Sequence, residues 1–194
     1  SLPSLRLDTF DSHLAIDTNK SSLTFAPEAG TQRLRDVINK NISDDDIDKS
    51  IDMAIQDGVR TIKLYFMIGL PTETDEDILG IADIVRRIKG RYAAFPRRNK
   101  ALSISVSTAV FIPKPLTPFQ WEAKITYDEM LRRQHILNDA LRMKGVRYSW
   151  HGSDTSVIEA IFARGDKTLS LLLETAYKNG ACFDAWNEHF DYSI

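Results

Sequence analysis

Cysteine is almost missing from this sequence: its 194 residues contain one, Cys182. A single thiol excludes an intramolecular disulfide and any multi-cysteine metal site built by the chain alone, and it fits a reducing, cytoplasmic compartment. Long apolar runs are missing as well. None approaches the roughly 20 residues needed to span a bilayer, and the opening Ser1-Leu-Pro-Ser-Leu-Arg-Leu-Asp8 lacks the apolar stretch of a signal peptide. The expectation is a soluble chain with no membrane partner. Neither sign of charge dominates: 25 Lys and Arg stand against 27 Asp and Glu, so net charge indicates neither a nucleic-acid nor a membrane surface as partner. Internal repeats and low-complexity segments are also lacking. There is no initiating Met, and the opening residues already alternate like a strand, which leads to the expectation of a C-terminal part of a longer protein.

What is present is an alternation of strand and helix patterns. Leu5 to Phe10 and Ser22 to Ala26 read as strands, and Thr61 to Ile68 as a parallel strand covered on both faces because its end is continuously apolar. Leu102 to Ile112 alternates over most of its length, and Val146 to Trp150 is a shorter candidate. Helical spacing connects them. Thr31 caps a helix through Lys40, Ser43-Asp-Asp-Asp46 opens a second that Gly58 stops, and Thr74 to Asp77 opens a third carrying Ile78, Ile81, Ile84, Val85 and Ile88. Tyr127 to Lys144 is a fourth, and two closing helices follow Ser153 and Lys167. Such an order predicts an α/β fold of parallel βαβ units, residues 1–150, with a small helical extension over 151–194. Its strand-end loops, Pro27 to Thr31, Gly69 to Thr74 and Pro113 to Phe119, are where parallel folds place ligands.

Phe66-Met-Ile-Gly-Leu-Pro-Thr-Glu-Thr-Asp-Glu-Asp-Ile78 resembles a later strand and loop of radical SAM barrels, with Thr24 to Leu34 one unit upstream and Val110 to Phe119 one unit downstream. The set is closest to the branch that contains the methylthiotransferases and elongator-type enzymes, in particular a subgroup with an N-terminal cobalamin-binding-like domain. The resemblance covers roughly Leu5 to Asp191, and Ala163 to Asp166 and Gly180 to Trp186 look like that subgroup's extension after the barrel.

The resemblance implies the C-terminal part of a partial (β/α) barrel. It further implies a parent enzyme that cleaves S-adenosylmethionine reductively at a [4Fe-4S] cluster, and it leaves cobalamin open as a further cofactor of the parent. The family's Cys-x3-Cys-x2-Cys loop is absent, so the cluster, the radical and the activity are expected from the missing N-terminal part and not from this chain. By resemblance, Glu28 faces the ribose or amino-acid end of S-adenosylmethionine. Ile68 and Gly69 lie along the adenine, Val110, Phe111 and Ile112 form another side of its pocket, and Arg33 neutralises a carboxylate.

Two readings compete with this one. Arg86, Arg87, Lys89, Arg91, Arg97, Arg98 and Lys100, with Phe95, form a basic region that fits RNA phosphate, as in an RNA-binding module on a structural barrel remnant with an RNA or ribosomal substrate. A solvated helix face explains the same residues. His151, Ser153 and Asp154 superficially resemble a hydrolase triad, but no nucleophile elbow surrounds Ser153, which reads better as an N-cap. Asp44 to Asp46 lack the alternation and loop glycine of a calcium site and read as helix-opening charges. Cys182, between apolar neighbours, reads as a buried small hydrophobe. A barrel missing its first strands is expected to expose apolar surface near Tyr65 and Met67, a route to self-association.

Overall fold

Side chains of alternating character on one strand choose the layer it packs against. Ile62, Leu64, Phe66 and Ile68 are buried, whereas Lys63 and Tyr65 between them are exposed. In the computed structural model, which describes residues 22–96 and 101–182, the strands are β1 (Ser22–Glu28), β2 (Thr61–Ile68), β3 (Ser103–Val110) and β4 (Val146–Trp150). All neighbours pair in parallel, in the order β1-β2-β3-β4. This is the α/β architecture expected, an arc of parallel strands in sequential order as in a partial (β/α) barrel. The strand expected over Leu5 to Phe10, the residues Arg97, Arg98 and Lys100, and the tail from Phe183 lie outside the described residues.

Six helices are described: α1 (Gln32–Val37), α2 (Asp44–Gln56), α3 (Asp75–Ala94), α4 (Tyr127–Ala140), α5 (Ser153–Arg164) and α6 (Leu169–Lys178). Thr31 caps α1 by accepting from the Leu34 N–H, and Ser43 with Asp46 forms a capping box on α2. The acidic run 44–46 is therefore helix-opening charge, as its position implies. Ser153 is the first residue of α5 rather than its cap. Gly152 takes the cap position, and the Ser153 side chain is buried instead.

The main core joins the inward residues of the strands to Ile47, Ile51, Ala54 and Ile55 of α2, Ile78, Ile81, Ile84, Val85 and Ile88 of α3, and Leu137 of α4. Each fully buried Ile, Leu or Val side chain among them is worth about 2 kcal/mol. Between α2 and α3 runs a charge ladder: Asp44, Asp48 and Asp52, one turn apart, face Arg87 and Arg91. Asp48 takes Arg91 Nη2 at 2.6 Å and lies 2.9 Å from Arg87 Nε, the latter an ion-pair distance without hydrogen-bond geometry. Burial opposes the charge on Asp44, but Arg87 and Arg35 hold its carboxyl below the usual range.

Among the described residues of the first unit, the helices pack on one face of the sheet. The expectation that Thr61 to Ile68 is covered on both faces fails because Lys63 and Tyr65 occupy its second face, and both are exposed. The chain divides into two compact units. One runs to Phe111 and resumes over Ile125–His151; the other takes Ile112–Lys124 and the residues from Gly152. All members of the two buried apolar clusters belong to the first. In the second, Leu171, Leu172, Leu173 and Tyr177 of α6 are exposed. Cys182, expected to be buried, is exposed beyond the end of α6, where the described residues of its unit offer no apolar cluster to enclose it. No described helix is long and apolar enough to cross a membrane.

Candidate functional site

Because the strands are parallel, their C-terminal ends share one rim, and the chain's two most specific loops of the first unit leave from it. At the end of β1 the register gains one residue: Phe25 pairs with Leu64, but Glu28 pairs with Phe66. This bulge re-aims Glu28, whose φ of 70° is left-handed backbone that costs an ordinary residue about 1–2 kcal/mol. The Glu28 carboxylate accepts from Lys40 Nζ at 2.9 Å. It also borders a groove of about 520 Å³ at the rim, shared with Tyr65, Met67, Ser107, Ser149, Trp150 and His151.

The groove floor is hydroxyl-bearing. Ser107 Oγ and Ser149 Oγ are 3.0 Å apart across β3 and β4. Behind them Thr108 Oγ1 meets Tyr148 OH at 2.8 Å, and burial pushes the Tyr148 phenol up to about 12 despite that bond. Tyr148 and Trp150 stack at a tilt with ring centroids 5.0 Å apart. The His151 N–H donates to the Thr108 carbonyl at 3.0 Å, extending the ladder past β4.

The loop after β2 is held by two buried carboxylates. Glu73 accepts from the Gly69 N–H at 2.7 Å and from Arg133 of α4 at 2.5 Å. Gly69 has a φ of 85°, and a Cβ there would lie 2.7 Å from Ile125, so both backbone and packing require glycine. Asp77 accepts from the Thr74 N–H at 2.8 Å and also from Thr31 and Arg33. Burial works against its charge, yet Thr31, Thr74 and Arg33 together hold its carboxyl below the usual range. The loop after β1 rests directly on α3: a Cβ on Gly30 would sit 2.2 Å from the Asp77 carbonyl oxygen.

Of the residues proposed by resemblance, Glu28 lines the groove. Gly69 stands at the same rim, and Ile68 and Val110 are buried. The Phe111 N–H donates to the Ile68 carbonyl at 2.8 Å, and its ring packs with Ala29, Leu34 and Leu70. Arg33 spends its charge on Asp77 and on Thr72 within the scaffold. Ile112 is buried and falls in the second unit. Sequence reading passed over Glu73, Arg133, Ser107, Ser149 and Trp150. The serines were legible as a period-two hydroxyl pattern, Ser103, Ser105, Ser107, between Ile104 and Val106.

The basic region, where described, is used internally. Arg86 pairs with Asp83, Arg87 and Arg91 join the ladder, Lys89 donates to the Lys144 carbonyl, and the Phe95 ring packs on the core. Among the described residues no three His, Cys, Asp or Glu are grouped to hold a metal ion. With one exposed cysteine, the chain's own residues do not fit a [4Fe-4S] cluster.

Fold and rim together define an α/β protein with an open, mostly apolar groove that carries a few hydroxyls at the C-terminal ends of parallel strands. Within that class, the chain is 36% identical over 172 residues to uncharacterized protein MJ0966 of Methanocaldococcus jannaschii, an alignment covering 88% of this chain and 36% of that protein. It thus spans little more than a third of that relative's length. No family model matches.

Proposed function

We propose that this chain is one wall of a radical SAM barrel, holding part of S-adenosylmethionine while a cluster borne by another part of a longer protein performs the reductive cleavage. The observation that carries the reading is Glu28, turned into the groove by a bulge and a left-handed φ at the C-terminal rim. Non-glycine residues are held in such backbone where the surrounding structure over-determines them, commonly at ligand sites. The hydroxyls of Ser107 and Ser149 and the faces of Tyr65 and Trp150 supply polar and apolar contacts for a nucleoside-sized ligand. Glu73 and Arg133 position the Gly69 loop beside them.

The test uses the full-length protein, reconstituted anaerobically with iron and sulfide. Broad absorbance near about 400 nm and release of 5′-deoxyadenosine are expected. Glu28→Gln is expected to weaken S-adenosylmethionine binding about tenfold, the loss of a charge-assisted hydrogen bond, while leaving the iron content unchanged. A full-length protein that binds no iron, or releases no 5′-deoxyadenosine, overturns the reading. The 194-residue chain alone is expected to be colourless. Its binding of S-adenosylmethionine should be no tighter than high micromolar, about 5 kcal/mol.

A further inference from the structure

Across the face of the sheet opposite α2, α3 and α4, one row stands in register on all four strands: Thr24, Lys63, Ser105 and Arg147. The next pair toward the rim on β3 and β4 is Ser107 and Ser149. Lys63 and Arg147 are exposed, and neither pairs with a carboxylate among the described residues. Arg33, Arg35, Lys40, Arg87, Arg91, Arg132 and Arg133 all do. Among the described residues this face therefore carries two cations without a carboxylate partner, on a floor of hydroxyls. Parallel sheets are ordinarily covered on both faces by apolar layers. A layer of that kind would have to bury both cations without partners, which is prohibitive.

We propose that this face binds a multivalent phosphate carried by the substrate. Lys63 and Arg147 stand on strands two apart, about 10 Å between backbones at ordinary strand spacing. Their side chains are long enough to close on one anion from both sides, the lysine as a point charge and the arginine as a planar fork. Between them Ser105 offers a hydroxyl. In the Ser107–Ser149 pair one hydroxyl donates to the other, so the acceptor's own proton is left to donate outward. The inference deepens the function proposed above by naming a substrate class, and it rests on that reading only in calling the ligand a substrate.

Calorimetry on the 194-residue chain with inorganic tripolyphosphate tests it, with citrate as a carboxylate of comparable charge. Tripolyphosphate is expected to bind, with an affinity that falls as salt is added. Lys63→Gln and Arg147→Gln are each expected to lower it about tenfold, the loss of one charge-assisted hydrogen bond. Lys63→Arg is expected to retain most of it, and Lys49→Gln, an exposed lysine on α2, to leave it unchanged. Citrate binding as tightly as tripolyphosphate would overturn the phosphate assignment. No tripolyphosphate binding, or binding indifferent to both glutamine variants, would overturn the site. Lower melting temperatures in both variants with unchanged affinity would assign Lys63 and Arg147 to packing and likewise overturn it. Deoxyadenosine release takes no part in this measurement, so either proposal can fail while the other stands.

Discussion

Glu73 is held with 1% of its side chain exposed, between the Gly69 N–H and the Arg133 guanidinium. Burial pushes its carboxyl above the ordinary 4.5, more than those two hydrogen bonds lower it. A carboxyl raised on folding binds its proton more tightly in the folded chain. Its contribution to stability is therefore full below about pH 4.5 and is lost as the pH rises through the folded value. Urea unfolding of the chain and of Glu73→Gln from about pH 4 to 8 should show the stability of the native chain, relative to the variant, declining with rising pH. A relative gain over that range would show that Arg133, not burial, dominates. Glu73→Ala should cost about 2 kcal/mol, because it strands the buried Gly69 N–H and removes one of the two carboxylates paired with Arg133, which keeps Glu129. These residues were legible only as a Gly-Leu-Pro-Thr-Glu string, since Arg133 lies 60 positions along the chain.

At the scale of elements, the acidic stripe of α2 and the basic stripe of α3 add a modest charge contact to the apolar faces that hold the two helices together. Asp48 is the centre, with 20% of its side chain exposed, and touches both Arg87 and Arg91. A double-mutant cycle on Asp48→Asn and Arg91→Met should give a coupling of about 0.5–1 kcal/mol. Most of it should vanish in about 1 M salt, where screening acts within about 3 Å. A coupling that ignores salt would mean that the ladder is held by packing of the side-chain stems. The helices themselves were readable: Ser43, Thr31 and Thr74 begin them where the caps implied, and Ile78 to Ile88 face the core at the spacing of three and four. The basic stripe alone read equally well as a nucleic-acid face, and only the approach of α2 settled how its described residues are used.

For the whole molecule, stability is concentrated where the buried clusters are. The strands with α2, α3 and α4 carry them, whereas α6 has no buried residue. Hydrogen exchange should therefore find the amides of β2 and α3 opening only with global unfolding. Those of α6 should exchange by local opening, at least about a hundredfold faster. Equal protection along the chain would show that the exposed leucines of α6 are covered in solution.

What the sequence determined alone was local or periodic. Alternation over β2 and β3, helical spacing from Ile78 to Ile88, and the caps at Thr31 and Ser43 specify elements because each needs only neighbours along the chain. Their alternating order then implies parallel strands. Tertiary structure decided what depends on partners distant in sequence: which strand face meets helices, the bulge that turns Glu28 toward the groove, and the pairing of Arg33 with Asp77. It also decided that Ser107 and Ser149 stand side by side. A period-two pattern gives two faces to every strand, but only the packing of α2, α3 and α4 decides which of the two they bury.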